Sequence, residues 1–317
     1  MGLFQSLTRA FGKNRERTPA DLARLLDLPE AELRAWLDPA PAWTRGYDYA
    51  RFSIPKRRGG IRMIEAPGEK LKTLQRRVLR RLLNPLPIHP AATGFAPGRS
   101  IVDNARPHVG RGVVINLDLA DFFPSITAER IAQSFRGLGW GAEAAGIVSR
   151  LCTNEGHLPQ GAPTSPALSN LVCRKLDARL AALAQKHGGH YTRYADDFTF
   201  SFPGLGVNKR LRPRPRHKPL LQRPPKPPSR ALLTAIRRIV EDEGFRIQMK
   251  KKVRLQRPHQ RQTATGLVVN RVVNLPRATR RLIRAMQHRE QLGRLDAEGQ
   301  QRLRGLEALM KMVESQR

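Results

Sequence analysis

Cysteine is nearly absent: Cys152 and Cys173 are the only two in 317 residues. That excludes a disulfide framework and a cysteine-rich zinc site, and it fits a reducing, cytoplasmic compartment. Acidic residues are also scarce, 26 against 58 Lys and Arg, for a formal charge of +32. Such an excess repels itself in the compact state unless a polyanion shares the surface. Nucleic acid is therefore the leading partner and an anionic membrane the second. No apolar run approaches the roughly 18 residues that span a bilayer, and no signal-peptide core follows Met1, so no membrane partner is expected. Met1-Gly2-Leu3-Phe4-Gln5-Ser6 satisfies the myristoylation pattern. It reads as a chance match, because nothing else points to an anchor.

What the chain does have is a carboxylate pair between two strand-like runs. Tyr194-Ala195-Asp196-Asp197 follows His190-Tyr191-Thr192-Arg193 and precedes Phe198-Thr199-Phe200-Ser201-Phe202. The second run alternates Phe with Thr or Ser, the period of a half-buried strand. A hairpin is expected, with two carboxylates at its tip. Adjacent carboxylates repel and call for a counter-charge, most simply a divalent cation. The bland alternative is turn chemistry.

A third carboxylate comes from Val113–Asp118, where Val113, Ile115 and Leu117 alternate with Val114, Asn116 and Asp118. The strand delivers Asp118 at its end, and Asp121-Phe122-Phe123-Pro124 bends the chain away. Three carboxylates from two adjacent strands could hold two Mg²⁺ about 3.5–4 Å apart, one activating a hydroxyl and one binding a triphosphate. Oxygen ligands suffice for magnesium, so neither histidine nor cysteine is required.

Other stretches supply the frame. Thr18-Pro19 reads as N-cap and first helical position, with Leu22, Leu25 and Leu26 as a stripe, and Leu33, Trp36 and Leu37 form a second stripe. Two short packing helices are favoured there over a DNA-reading pair. Residues 47–67 read as two strands joined at Arg58-Gly59-Gly60; their cations suit a phosphate or a solvated turn equally. Glu69 to Leu83 is an amphipathic basic helix with Leu71, Leu74, Val78 and Leu82 inward. Leu158-Pro159-Gln160-Gly161-Ala162-Pro163-Thr164-Ser165-Pro166 is a fixed loop into a helix, and Gln160 is a candidate for a nucleotide pocket. Two helical stripes close the chain, around Leu282 to Met286 and Leu303 to Val313.

In order, the blocks Ile54-Pro55-Lys56…Gly59-Gly60-x-Arg62, Leu117-Asp118-Leu119-x-Asp121-Phe122-Phe123-Pro124-Ser125-Ile126, Leu158 to Pro166, and Tyr194 to Asp197 resemble those of reverse transcriptases. The resemblance implies an α+β right-hand polymerase fold, with fingers, a palm built on an antiparallel sheet and a small helical thumb. Residues 1–45 would be a basic N-terminal segment, 46–271 interleaved fingers and palm, and 272–317 the thumb. It further implies that Asp118, Asp196 and Asp197 bind the two Mg²⁺ ions and that Phe123 is the gate against the ribose 2′-hydroxyl. Gln160 would contact the incoming deoxynucleoside triphosphate, and Lys56 and Arg62 its phosphates. Lys251, after Gly244-Phe245-Arg246-Ile247-Gln248, falls near the nucleotide.

Two more blocks are similar to bacterial retron enzymes: Asn104-Ala105-Arg106-Pro107-His108 and Ala264-Thr265-Gly266. They imply RNA contacts at Asn104, His108, Thr265 and Gly266. Without the family, His108 reads as a surface or capping histidine and Gly266 as a strand bulge. The retron resemblance implies a structured noncoding RNA as primer and template, an RNA–DNA hybrid as product, and in many members an effector protein in an antiphage unit. No room is expected for a maturase, endonuclease or RNase H region. Another bacterial reverse transcriptase is the alternative, and an inactive RNA-binding scaffold is the third reading.

Residues 203–230 depart from the pattern, with eight Pro and nine Lys or Arg and no acid. Such an insertion cannot bury a core. An RNA-holding arm and an inert loop are both open.

Overall fold

The computed structural model describes residues 16–37, 48–56, 59–203, 230–248 and 254–316. The first 15 residues, Lys251 and nearly all of the Pro/Arg-rich insertion lie outside these. In chain order the helices are α1 (Pro19–Leu26), α2 (Glu30–Arg34), α3 (Glu69–Val78), α4 (Ile101–Ala105), α5 (Ala128–Arg136), α6 (Ala142–Cys152), α7 (Ser165–Val172), α8 (Arg174–Lys186), α9 (Arg230–Asp242), α10 (Arg277–Gln291) and α11 (Ala297–Ser315). The strands are β1 (Tyr49–Pro55), β2 (Ile61–Pro67), β3 (Val113–Asp118), β4 (His190–Tyr194), β5 (Asp197–Phe202), β6 (Arg254–Gln256), β7 (Thr263–Ala264) and β8 (Leu267–Val268). The architecture is α+β.

The chain divides into two compact units, one of residues 1–90 and 120–176, the other of 91–119 and 177–317. In the first, Thr18 caps α1 through a capping box with Asp21, and Pro19 opens the helix, as Thr18-Pro19 predicts. Leu22, Leu26, Leu33 and Trp36 are buried, so these short helices pack. α3 turns Leu71, Leu74 and Val78 inward and continues through a π-helical turn, Leu79–Leu83. The wider turn keeps Leu82 and Leu83 buried. β1 and β2 form an antiparallel hairpin with Tyr49 opposite Pro67 and Pro55 opposite Ile61. Most of its residues are exposed, including Phe52, Ile54, Ile61 and Met63.

The second unit is built on a four-stranded antiparallel sheet in the order β4-β5-β3-β6. β3 runs through its interior and is buried along nearly its whole length. A core of Val102, Val114, Leu267, Val269, Ile283, Met286, Leu303 and Val313 ties β3, the β7–β8 hairpin and the C-terminal helices together.

Two expectations are corrected here. β5 is not half-buried: Thr199 and Ser201 are as enclosed as Phe198, Phe200 and Phe202. The hydroxyl face is buried too, and the Ser201 hydroxyl finds its partner inside, on His108. Gly266 is not a bulge but the second residue of a two-residue turn, Thr265-Gly266, between β7 and β8. Both have positive φ, 47° and 82°, the conformation that suits a type I′ hairpin turn.

Candidate active site

The hairpin expected at Tyr194-Ala195-Asp196-Asp197 is present. β4 ends at Tyr194, β5 begins at Asp197, and Ala195 turns the chain with φ 57°. Asp118 closes β3 directly opposite Asp197. Facing residues in an antiparallel pair lie about 4.5–5.5 Å apart at Cα, so the register alone brings these two carboxylates side by side. Asp196 joins them from the turn: its carbonyl accepts the Leu119 N–H at 3.1 Å, and its carboxyl is hydrogen-bonded to that of Asp118. The carbonyl of Asp118 accepts the Gln248 N–H at 2.7 Å, which anchors the end of β3 on its other side.

Burial, then the charges of Asp197 and Asp118, push the Asp196 carboxyl up to about 7. The fold has therefore gathered negative charge at one point. Oxygen donors in that state fit a hard divalent cation. Among the described residues, no three carboxylate, histidine or cysteine side chains are closed around one point. Magnesium does not need such a cage, because it keeps several waters and takes one or two protein carboxylates.

Behind the carboxylates lies a polar interior that sequence reading missed. His108, read as a surface or capping histidine, is fully buried. Its Nδ1 lies 2.7 Å from Ser201 Oγ and its Nε2 2.8 Å from Thr192 Oγ1. Burial first, then the nearby His190 and Arg111 charges, press its pKa down to about 3. The neutral ring thus donates to one hydroxyl and accepts from the other. Asn104 is also fully buried, and its Oδ1 accepts the Thr93 hydroxyl at 2.8 Å. Neither side chain faces solvent, whereas Gly266 is exposed and Thr265 half-buried, with its hydroxyl donated to the Ile101 carbonyl at 3.1 Å. The clue to His108 was the Thr and Ser alternation on β4 and β5, which needs a polar partner once both faces are covered.

In the other unit, Lys56 and Arg62 are exposed on the β1–β2 hairpin. Gln160 is half-buried, and its carbonyl accepts the Glu65 N–H at 2.9 Å. A Cβ at Gly161 would stand 2.7 Å from the Glu65 carbonyl, so glycine permits this close approach. Glu65 is buried and accepts from Arg51, Asn154 and His157, locking the base of the hairpin to the Gln160 loop. A lone acid in a basic hairpin was the available signal for it. Phe123 is half-buried, with its ring 5.3 Å from that of Phe122.

Comparison with known proteins agrees with this geometry. Residues 54–264 match the family model "Reverse transcriptase (RNA-dependent DNA polymerase)". The chain is 40% identical to the retron Mx65 reverse transcriptase of Myxococcus xanthus over 94% of its own length and 68% of the relative's. It is 38% identical to the retron Mx162 reverse transcriptase of the same organism, over 96% and 66%. To the retron Ec86 reverse transcriptase of Escherichia coli it is 42% identical over half of each chain. Among solved structures, it is similar to a telomerase from Candida albicans in complex with a TWJ fragment of telomeric RNA, at TM-score 0.46 and 11% identity, covering 92% of this chain and 55% of that one. The α+β architecture with its four-stranded antiparallel sheet is consistent with a right-hand polymerase fold. The family match over more than half its length, together with these relatives, makes the chain a member of the reverse transcriptase family, of bacterial retron type.

Proposed function

We propose that the chain extends a primer with deoxynucleotides on an RNA template, and that Asp118, Asp196 and Asp197 hold two Mg²⁺ ions. The observation that carries this is the β3–β5 register, which sets Asp118 opposite Asp197 with Asp196 in the turn beside them; burial and the facing charges raise the Asp196 carboxyl to about 7. Bound divalent ions would supply Lewis-acid activation of the primer hydroxyl and neutralise charge on the leaving pyrophosphate. The protein's part is positional. The β3–β5 register sets the spacing of two carboxylates, and the turn presents the third.

On this reading Lys56 and Arg62 neutralise triphosphate charge, and Gln160, fixed through Glu65, contacts the nucleotide. Lys251 is assigned near the nucleotide from sequence alone. Phe123 closes the pocket beneath the ribose, so Phe123→Ala should admit ribonucleotides more readily; an unchanged sugar preference would remove it from that role. Residues 46–271 would be fingers and palm, and α10 and α11 the thumb. The template and primer would be a structured noncoding RNA, to which Asn104, His108, Thr265 and Gly266 are assigned from the sequence. An RNA–DNA hybrid would be the product, with an effector protein as second partner in a defence unit.

Extension of a primed RNA template tests the core of this. Asp196→Asn should reduce nucleotide addition to background while leaving RNA affinity unchanged. Normal extension by that variant would sink the assignment.

A further inference from the structure

Among the described residues, Arg193 is the largest fully buried side chain. A buried guanidinium is costly unless it is paired and its donors are used, so its surroundings indicate what it is for. Its Nε donates to Asp177 Oδ1 and its Nη2 to Asp177 Oδ2, each at 2.8 Å, and Asp177 is itself fully buried on α8. Tyr191 Oη donates to the same Oδ1 at 2.9 Å. The remaining arm of the fork does something different. Nη1 donates to the carbonyl of Ala195 at 3.2 Å, the residue that turns the chain into Asp196.

Ala195 needs such support. It holds φ 57°, a left-handed conformation that costs an L-residue free energy and persists only where the surroundings over-determine it. The segment 91–94 supplies the second half of the clamp. Arg193 N–H donates to the Ala91 carbonyl at 2.7 Å, and the Arg193 carbonyl accepts the Thr93 N–H at 2.9 Å, with the Thr93 hydroxyl, shared with Asn104 Oδ1, 3.1 Å away. A Cβ on Gly94 would stand 2.5 Å from Ala195 N and 2.9 Å from Tyr194 C, so the glycine backbone lies flush against the turn.

We infer that Arg193, oriented by Asp177, is a positioning residue: it fixes the Ala195 turn before any metal arrives and so sets the affinity of Asp196 and Asp197 for divalent ions. This rests on reading Asp118, Asp196 and Asp197 as the metal-binding carboxylates. Guanidinium geometry is what the task requires. Two arms grip one carboxylate while a third reaches a carbonyl on another segment, and a lysine ammonium, a single point of charge, cannot span both. The turn is thereby preorganised, and the metal does not have to order it.

The test measures Mn²⁺ binding calorimetrically on the purified protein, well below its melting temperature, for wild type, Arg193→Lys and Asp196→Asn. Wild type should bind Mn²⁺, and Asp196→Asn should lose that binding. Arg193→Lys should bind about 10-fold more weakly, the loss of roughly one charge-assisted hydrogen bond, and should need correspondingly more Mg²⁺ for half-maximal extension, with KM for deoxynucleotides unchanged. Equal Mn²⁺ affinity in wild type and Asp196→Asn would overturn the metal reading itself. Weakened binding in Asp196→Asn with wild-type affinity in Arg193→Lys would overturn the positioning role alone, leaving the pair as a purely structural bridge. If Arg193→Lys does not fold, hydrogen exchange on the unsubstituted protein decides. Protection of the amides of residues 193–197 should be the same with and without Mg²⁺; protection that appears only with the ion would overturn preorganisation.

Discussion

The two hairpins of this protein are built to opposite specifications. β4–β5 is buried on both faces from Tyr191 to Arg193 and from Phe198 to Phe202, and the polar groups of Tyr191, Thr192, Arg193 and Ser201 have internal partners. Among its described residues, β1–β2 is anchored toward its base, by Tyr49 Oη on Gln75, by Glu65 and by the Arg51–Glu155 ion pair, while Phe52, Ile54, Ile61 and Met63 stand in solvent toward its tip. Segments with few buried contacts open at low free-energy cost, and those with many do not. On the proposed function, the contrast follows from what each would hold. Carboxylates that bind metal have to be placed to within a fraction of an ångström. A surface meeting a long, variable nucleic acid gains from staying adaptable. The same element type would then serve as rigid mount and as open grip.

The largest expected effect separates the two at the level of chemistry. Asp118→Asn, at the rigid site, should remove nucleotide addition to background in a primed-template assay. Lys56→Ala or Arg62→Ala, on the open hairpin, should leave turnover at saturation intact and raise KM for deoxynucleotides by roughly 10- to 100-fold, the worth of a hydrogen bond to charge. Equal losses of turnover in all three would erase the distinction.

Stability gives the next contrast. His108→Ala strands the Ser201 hydroxyl in the interior, while the Thr192 hydroxyl keeps the Asn104 carbonyl at 3.2 Å, and should cost about 1–3 kcal/mol in denaturant titrations, the penalty of one unpaired buried group. Ile61→Ser at the exposed hairpin should change stability by no more than about 0.5 kcal/mol.

A smaller, graded effect should appear with pH. Because burial holds folded His108 at about 3 against an ordinary 6.5, the unfolded chain takes up the proton first on acidification. Its contribution is complete above pH 6.5 and is lost as pH falls toward 3, at up to about 1.4 kcal/mol per pH unit. His108→Gln should flatten that part of the stability–pH curve. A slope identical to wild type would mean that the ring is not held neutral.

The sequence carried the carboxylates well, and for a physical reason. A period-two strand, a two-residue break and an acid at a strand end are local patterns, and Asp118, Asp196 and Asp197 are each defined by one of them. The β1–β2 hairpin and the capped α1 were legible on the same grounds. The rigid hairpin's support was not. Arg193 and Asp177 are 16 residues apart on different elements, and nothing local says that a cation in a strand will meet a carboxylate on a helix. His108 was hidden for the same reason, since its partners lie 84 and 93 residues away. The burial of Thr199 and Ser201 escaped because alternation reports which residues share a face, and says nothing of what covers it. The clue that could have been used is that strand hydroxyls and a strand arginine beside aromatic neighbours imply polar partners on the covering layer.

The account's central claim is that the fold of this reverse transcriptase gathers carboxylate charge for a divalent ion to relieve. The most direct measurement is thermal unfolding at pH 8 of wild type and Asp196→Asn, with and without Mg²⁺. An aspartate whose carboxyl is raised to about 7 by burial and by facing charges destabilises the metal-free fold increasingly as pH rises from its ordinary value to about 7, and fully above that. Metal-free Asp196→Asn should therefore melt higher than metal-free wild type. Saturating Mg²⁺ should raise the wild-type midpoint by several degrees, since binding at 100 times Kd is worth about 2.7 kcal/mol, and should scarcely move the variant. Equal midpoints without metal, together with equal Mg²⁺ shifts in both proteins, would contradict it.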